Sequence, residues 1–260
     1  MTFVRIVSLW GFEMGDRFRH LRVEEQRGYW VVVFDRAGTS TAPNVLSLDA
    51  LAELRVIVEA VERRADIAAV ILAGAEGRGF IAGADLREVH GLTPREALAF
   101  SRYGQELFRR IESARSLFIA AIDGYCMGGG LDLALACDLR YATARSVFAH
   151  PGARLGLLTG WGGTARLPRA IGRAEALRLF LTAERVSAAE ALRLGLIHRV
   201  VEENVLAFAR QRAEAAFRRG PQTLAGIKEA LRMATSRLHE GGSSRGEPLR
   251  FCLECSSDVA

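Results

Sequence analysis

One segment of the chain indicates both its architecture and a candidate site: residues 117–137 read LFIAAIDGYCMGGGLDLALAC. The run over 117–122 predicts a buried strand, because it is short, apolar and followed directly by a turn. Three consecutive glycines, Gly128 to Gly130, then open a short apolar helix that continues through Cys137. A buried strand, a glycine turn and a helix therefore follow one another without a linker.

A second segment repeats this arrangement. Residues 70–86 read VILAGAEGRGFIAGADL, in which a strand predicted at 68–73 leads through glycines into a turn at Gly83. Glycine adopts positive φ angles and lets a ligand approach the backbone, and the first turn of a helix has unpaired N–H groups. Two such N–H groups pointing at one place would form an oxyanion hole. The alternative is that the glycines serve tight packing alone, and the pattern by itself leaves both open.

Strands and helices alternate along the chain to about residue 200, and helices follow. Further strands are predicted at 21–34 as a pair, and at 139–142, 146–148 and 196–201. Helices are predicted at 48–64 with Ser47 as the cap, and at 94–113, 173–182, 188–194, 203–218 and 223–237. This order predicts an α/β fold, with an N-terminal extension at 1–19, a core at 20–200 and a helical region at 201–260.

The composition excludes several classes of protein. Half of the 260 residues are hydrophobic and a quarter are charged, as in ordinary globular domains. The sequence has no apolar run of the roughly 20 residues that a membrane-spanning helix needs, and its N-terminus does not resemble a secretory signal. Four cysteines are too few for a disulfide scaffold, and Cys252 and Cys255 fit a reduced thiol pair better than a metal site. We therefore expect a cytoplasmic protein without a metal.

The charge balance gives weak support for a nucleic-acid partner. The 35 basic and 30 acidic residues leave a net charge of +5, and every basic residue except Lys228 is an arginine. The arginines are scattered along the whole chain with acidic residues among them, and the longest basic runs are pairs. A basic tail is therefore excluded, whereas a folded basic face stays possible. No aromatic-basic motif accompanies the charge, and we do not expect nucleic acid as a partner. The phosphate-binding glycine signatures and the G-x-S-x-G nucleophile motif are also absent from the sequence.

Both glycine segments resemble those of the enoyl-CoA hydratase/isomerase (crotonase) family. Residues 79–86, GFIAGADL, are similar to its F-x-A-G-A-D-L, and residues 120–138, AAIDGYCMGGGLDLALACD, to its A-A-x-N-G-x-A-x-G-G-G-x-E-L-A-L-A-C-D. Residues 162–172, GGTARLPRAIG, and 188–197, AAEALRLGLI, also resemble family segments, and NVLS at 44–47 fits an early one. The resemblance extends in order from about residue 22 to 258.

The resemblance implies a crotonase-like spiral of ββα units, with C-terminal helices that build trimers or dimers of trimers. It implies an acyl-CoA thioester substrate and no separate cofactor, since coenzyme A is part of the substrate. By position, the N–H groups of Ala84 and Gly129 would form the oxyanion hole, with Ala82, Gly83 and Gly128 beside the substrate. Such donors stabilise the enolate oxygen, and losing one typically costs about 10²–10³ in rate.

The sequence departs from the family at the acid and base. Hydratases of the family use two glutamates, whose positions are held here by Asp132 and Gly152. Dienoyl-CoA isomerases also have an aspartate at the first position, but they keep the second glutamate and add an aspartate near Gly160. Hydration needs one group to activate water and one to protonate the α-carbon. Enoyl-CoA hydratase remains the default prediction, and the alternatives are a CoA-ester decarboxylase, hydrolase or isomerase, or a silent acyl-CoA-binding homologue.

Several nearby side chains are candidates for substrate or proton handling. Asp132 is either a catalytic carboxylate or a cap of its helix, and His150 either replaces the missing acid/base or is a surface or packing histidine. Trp161 either shapes the acyl pocket or packs in the core. The remaining candidates are Asp85 and the pair Glu88 and His90, for which capping and a solvated helix are the favoured interpretations, and Arg36 and Arg78 as phosphate contacts.

Overall fold

A computed structural model of the chain describes residues 18–36 and 42–239. Most of the predicted extension at 1–19, and the C-terminal residues with Cys252 and Cys255, lie outside the described residues. The last residues of the extension contact the fold. The backbone N–H groups of Arg19 and His20 donate to Glu53 at 2.8 and 3.0 Å.

The strands and helices alternate as the sequence predicts. The strands are β1 (Leu21–Gln26), β2 (Tyr29–Phe34), β3 (Ala69–Gly74), β4 (Leu117–Ile122), β5 (Tyr125–Met127), β6 (Leu139–Thr143), β7 (Val147–Ala149), β8 (Val186–Ser187) and β9 (Arg199–Val201). The helices are α1 (Leu48–Glu62), α2 (Leu86–Val89), α3 (Pro94–Ser113), α4 (Gly129–Ala136), α5 (Gly163–Ile171), α6 (Arg173–Thr182), α7 (Ala188–Leu194), α8 (Val205–Arg218) and α9 (Pro221–His239). A 3-10 helix covers Pro151–Leu155.

Among the described residues, a six-stranded sheet has the order β1-β2-β3-β4-β6-β9 and a three-stranded sheet the order β5-β7-β8. In the larger sheet β1 and β2 form an antiparallel hairpin, and the other neighbouring strands are parallel. The run 29–34 is buried along its whole length, as expected for a strand covered on both faces. Parallel strands place their carboxyl ends at one edge, and both glycine segments leave the sheet there, after β3 and β4.

The side chains of the sheet alternate between two cores. Val32 lies in the larger core, which α1, α3 and α4 cover, and its neighbour Val31 lies in the smaller core under α8. Ala209 and Ala213 are the fully buried residues of α8, and their small side chains let this helix pack closely on β3 and β4. The larger core continues beneath the glycine turns and supports them.

The starts of α1 and α3 follow the capping rules. Ser47 caps α1 by accepting from the N–H of Ala50 at 3.1 Å, as predicted. Helix α3 has the predicted bounds, with Pro94 in its first turn, and Thr93 and Glu96 form a capping box. These signals are local, so the sequence locates these two helix starts well.

One strand was predicted too long, and elements that depend on distant contacts were missed. The strand predicted at 196–201 is shorter, because the N–H groups of Leu196 and Ile197 donate to the carbonyl of Ala191 in α7 and form its C-terminal turn. Helix α5 contains Pro168 and begins with a glycine, and both features disfavour a helix in the sequence. The short β5 is paired through contacts with β7, which no sequence period reveals.

Candidate active site

A cavity of about 400 Å³ lies between the two glycine turns, helix α3 and the chain that follows β7. Most of its wall is apolar, as expected for a site that holds an acyl chain. Its apolar side chains include Leu86, Val89, Leu92, Ala97, Phe100, Leu155, Leu157, Leu158 and Trp161. Among the described lining residues, Asp132 is the only carboxylate and His150 the only basic side chain.

The two glycine turns meet at the base of this cavity. Gly83 and Gly128 have φ angles of 133° and 50°, which disfavour any other residue. The Cα of Gly83 lies 3.8 Å from the point where a Cβ on Gly128 would be. Backbone hydrogen bonds hold each turn in place: Leu46 donates to Gly83 at 2.8 Å, and Gly128 donates to Ala149 at 3.0 Å.

This arrangement brings two backbone N–H groups together. The nitrogen of Ala84 lies 3.5 Å from the point where a Cβ on Gly129 would be. Gly129 is the first residue of α4, so its N–H has no partner within the helix. Among the hydrogen bonds of the described residues, neither the Ala84 N–H nor the Gly129 N–H donates. The geometry can therefore place two free donors and a helix N-terminus on one acceptor atom.

Asp132 lies one turn into α4 and is buried with 1% of its surface exposed. Its Oδ1 lies 3.1 Å from Nε2 of His150, and its Oδ2 accepts from the Thr159 hydroxyl at 2.6 Å. A Cβ on Gly163 would lie 2.1 Å from Oδ1, so glycine is needed there for the carboxylate to fit. Asp132 is therefore held at both oxygens rather than capping its own helix.

His150 is not a surface residue, because only 4% of it is exposed. Its ring packs edge-on against Phe180 of α6, with 4.9 Å between the centroids. The imidazole lies between this aromatic ring and the Asp132 carboxylate, and it lines the cavity. No spacing in the sequence indicates the contact, since the two residues are on different elements.

Gly152, which stands where the hydratases have their second glutamate, has no room for a side chain in this backbone. A Cβ on Gly152 would lie 2.7 Å from the carbonyl oxygen of Leu157 and 3.8 Å from Nδ1 of His150. At Gly160, near which the dienoyl-CoA isomerases have an additional aspartate, a Cβ would lie 3.3 Å from the Ser101 hydroxyl. The loss of the second carboxylate is thus accompanied by a backbone that now packs where it would start.

Trp161 packs in the core and also lines the cavity, so it combines the two roles that the sequence left open. It is buried, its indole N–H donates to the carbonyl of Phe100 at 3.3 Å, and its ring packs edge-on against Phe100 and Phe108. It also forms part of the cavity wall. A Cβ on Gly104 or Gly129 would lie 2.3 Å from its ring, so both glycines make room for it.

Asp85 caps α2 and is not among the residues that line the cavity. Its carboxylate accepts from the backbone and side chain of Arg87, and Arg36 lies 3.7 Å away. The hydrogen bonds from Arg87 lower the pKa of Asp85. Ala82, by contrast, lines the cavity together with the glycine turns.

The other predicted residues lie around the site. Glu88 accepts from the N–H of Leu48 at 2.7 Å, and His90 ends α2; neither lines the cavity. Arg78 donates to the backbone carbonyl of Arg36 at 2.7 Å and lies 3.5 Å from Asp35. Thr159 was missed, because nothing in the sequence links it to a carboxylate 27 positions earlier.

The chain is similar to known proteins over most of its length. Residues 25–245 match the family model described as enoyl-CoA hydratase/isomerase. A short-chain-enoyl-CoA hydratase of Clostridium acetobutylicum is 39% identical over 165 residues, which cover 64% of this chain and 63% of that relative. A probable enoyl-CoA hydratase of Bacillus subtilis is 39% identical over 211 residues, 80% of this chain and 81% of that protein.

Solved structures agree with the fold. DspI of Pseudomonas aeruginosa superposes with a TM-score of 0.79 at 35% identity, covering 84% of this chain and 82% of that chain. Among the described residues, no helix is long and apolar enough to cross a membrane. The match over most of the length, together with the two glycine turns in register, shows that this chain belongs to the enoyl-CoA hydratase/isomerase family and has the crotonase fold.

Proposed function

We propose that this protein adds water to the double bond of an enoyl-CoA thioester. The observation that carries the proposal is the pair of N–H groups of Ala84 and Gly129, which lie together at an apolar cavity and have no acceptor among the described residues. Addition of water at the β-carbon places negative charge on the thioester oxygen. Preorganised donors at a helix N-terminus stabilise that charge as it develops.

The cavity supports an acyl-CoA as the substrate. Its leucines and Trp161 would enclose the acyl chain, and Ala82, Gly83 and Gly128 would lie against the thioester. Arg36 and Arg78 would meet the phosphates of coenzyme A. No separate cofactor enters this proposal, since the coenzyme is part of the substrate.

A substrate panel tests the reaction. Purified protein is incubated with crotonyl-CoA, with a saturated acyl-CoA and with a malonyl-type CoA, and the products are identified by mass spectrometry. We expect the β-hydroxyacyl-CoA from crotonyl-CoA, no free acid and no decarboxylation. Decarboxylation or hydrolysis without hydration would overturn the proposal, and so would binding of all three esters without turnover.

A paired backbone variant tests the oxyanion hole. Proline at the first position of a helix is tolerated but has no N–H, so Gly129→Pro removes one donor. Because a Cβ at this position meets Trp161, the change is made in a Trp161→Ala background, with Gly129→Ala in that background as the matched control. We expect about 10²–10³-fold lower turnover for the proline variant than for its control. Equal turnover would show that this N–H does not contact the reacting oxygen.

We also propose a homotrimer or dimer of trimers in the cytoplasm. Exposed apolar side chains on α9, Ile227 and Met233, support assembly through the C-terminal helices. Cys126 and Cys137 are free thiols, as expected in a reducing compartment. Sedimentation analysis would give the mass of three or six chains, and a monomer would contradict the assembly.

A further inference from the structure

We propose that His150, through its Nδ1 atom, is the group that moves the proton in this reaction, with Asp132 as its positioning residue. The proposal rests on the hydration proposed above. It replaces an acid/base pair of two carboxylates with one imidazole held by one carboxylate.

Asp132 is poorly arranged to act by itself. Its Oδ1 is engaged by His150 and its Oδ2 by the Thr159 hydroxyl, and only 1% of the residue is exposed. A carboxylate that already accepts a hydrogen bond at each oxygen has less capacity to take a proton from water. The same two bonds hold it rigidly, which suits a residue that orients another.

The contact with Asp132 also sets the state of the imidazole. An ionised carboxylate only accepts hydrogen bonds, so the proton of a neutral His150 lies on Nε2, which faces Oδ1 at 3.1 Å. The lone pair then lies on Nδ1. Among the described residues, Nδ1 has no hydrogen-bond partner, and the imidazole lines the cavity.

Nδ1 occupies the neighbourhood of the missing carboxylate. It lies 3.8 Å from the point at which a side chain on residue 152 would start. A glutamate at that position would thus share its space with the histidine, and the chain has glycine there. The base has moved from residue 152 to residue 150, on the same side of the cavity.

One imidazole suffices for the proton balance. As the water oxygen bonds to the β-carbon, one of its protons passes to Nδ1, and the electrons of the double bond move to the enolate oxygen. The imidazolium, stabilised by Asp132, then returns the proton to the α-carbon. One O–H bond and the C=C π bond are broken, one C–O and one C–H bond are formed, and the histidine is regenerated.

Among the described residues that face His150, the charged group is Asp132 on α4, while α6 presents the Phe180 ring and the 3-10 helix presents Pro151 and Gly152. The charged partner of the imidazole is therefore the carboxylate that we propose positions it.

The test compares His150→Gln, Asp132→Asn and the double variant. Each single change is expected to lower kcat by about 10²–10⁴-fold with little change in acyl-CoA affinity. Asparagine can donate to Nε2 and so moves the imidazole proton to Nδ1, which removes the base without removing the ring. The double variant should be no slower than the slower single variant, as for groups that act as one unit.

The control is His20→Gln. His20 also faces an aspartate, Asp49, at 4.0 Å, but neither residue lines the cavity, so turnover should be unchanged. If His150→Gln folds poorly, His150→Ala is assayed with added imidazole, which is expected to restore turnover. Losses that multiply in the double variant, or no rescue by imidazole, would overturn the proposal.

Failure of the proposed hydration can be distinguished from failure of the role proposed for His150. If the wild-type protein does not hydrate crotonyl-CoA, exchange of the α-protons of butyryl-CoA in deuterium oxide is followed instead, which needs the base and the oxyanion hole but not hydration. Exchange that is lost in His150→Gln would support the histidine although hydration fails. Hydration or exchange that is retained in His150→Gln would overturn the histidine alone.

Discussion

At the scale of single residues, Trp161 shows how closely the site and the core are joined. Its indole fills the space above Gly104 of α3 and Gly129 of α4, where a Cβ would lie 2.3 Å from the ring. One side of the ring closes the cavity and its edges contact Phe100 and Phe108. The glycines are therefore explained by the tryptophan, and not by the conformation of the helices.

A glycine substitution tests this fit. Gly→Ala inside a helix ordinarily stabilises it by about 1 kcal/mol, and Gly226 of α9, with no atom near its Cβ position, should follow that rule. We expect Gly104→Ala to lower the free energy of unfolding by about 1–3 kcal/mol instead, because the methyl group meets a buried ring. Urea unfolding measures both variants. Stabilisation by Gly104→Ala would show that the ring moves away freely.

Contacts between individual side chains were the features that the sequence predicted least well. The glycine turns, Ala84 and Gly129 could be placed from the sequence, because they lie within contiguous motifs. The contact between Asp132 and His150 could not, since it joins α4 to the end of β7, 18 positions apart. Thr159 is a further nine positions along, and only the fold of the intervening loop brings its hydroxyl to the carboxylate.

At the scale of elements, helix α9 is fixed to the sheet by the chain's one lysine. Lys228 donates to the carbonyl of Ser116 at 3.0 Å and to the carboxylate of Asp138 at 2.8 Å. Asp138 in turn accepts from the N–H of Phe118 at the start of β4. Burial raises the pKa of Asp138, although Lys228 opposes the shift. The pair therefore sits where an unpaired carboxylate would be costly.

Lys228→Met should destabilise the protein by about 1–3 kcal/mol at neutral pH, because a buried charged partner is removed. Without Lys228 the folded-state pKa of Asp138 rises further above its unfolded value, so the cost of ionising it grows as pH rises and disappears once it is protonated. The difference from wild type should therefore shrink toward acidic pH in chemical unfolding.

The matched control for the lysine is Glu229→Gln. Glu229 forms an exposed ion pair one residue away on the same helix, and we expect little change in stability, because water and salt screen such a pair. A pH-independent cost for Lys228→Met would show that its alkyl chain, and not the ion pair with Asp138, holds α9.

Element boundaries followed local signals in the sequence. Caps and apolar periods located α1, α3 and α6 and the parallel strands, since each signal lies within the element itself. The helix with an internal proline, Gly163–Ile171, and the three-residue strands are stabilised by tertiary contacts. Helix propensity disfavours the helix with the internal proline, and no local propensity indicates the short strands.

At the scale of the whole molecule, many of the arginines are paired locally with acidic side chains. Arg110 bridges Glu59 and Glu62, and Arg166 pairs with Glu112. The net charge of +5 therefore does not imply a polyanion partner. Arg36 and Arg78 remain the proposed contacts of the phosphates of coenzyme A.

Arg36→Gln tests the phosphate contact. Removing one charge-assisted hydrogen bond to a phosphate should raise KM for crotonyl-CoA by about tenfold. The matched substrate is the N-acetylcysteamine thioester, which has the same acyl group but no nucleotide, and its KM should not change. Equal effects on both substrates would place Arg36 in the support of Asp85 and α2, and not at the phosphates.

The position of labelled oxygen in the product separates addition of water to the double bond from hydrolysis of the thioester. Crotonyl-CoA is incubated with the protein in water enriched in heavy oxygen, and the products are fragmented by mass spectrometry. Hydration through the enolate predicts the label on the β-carbon of an intact CoA thioester. Label in the carboxylate of a released acid, or no labelled product, would contradict hydration of the double bond.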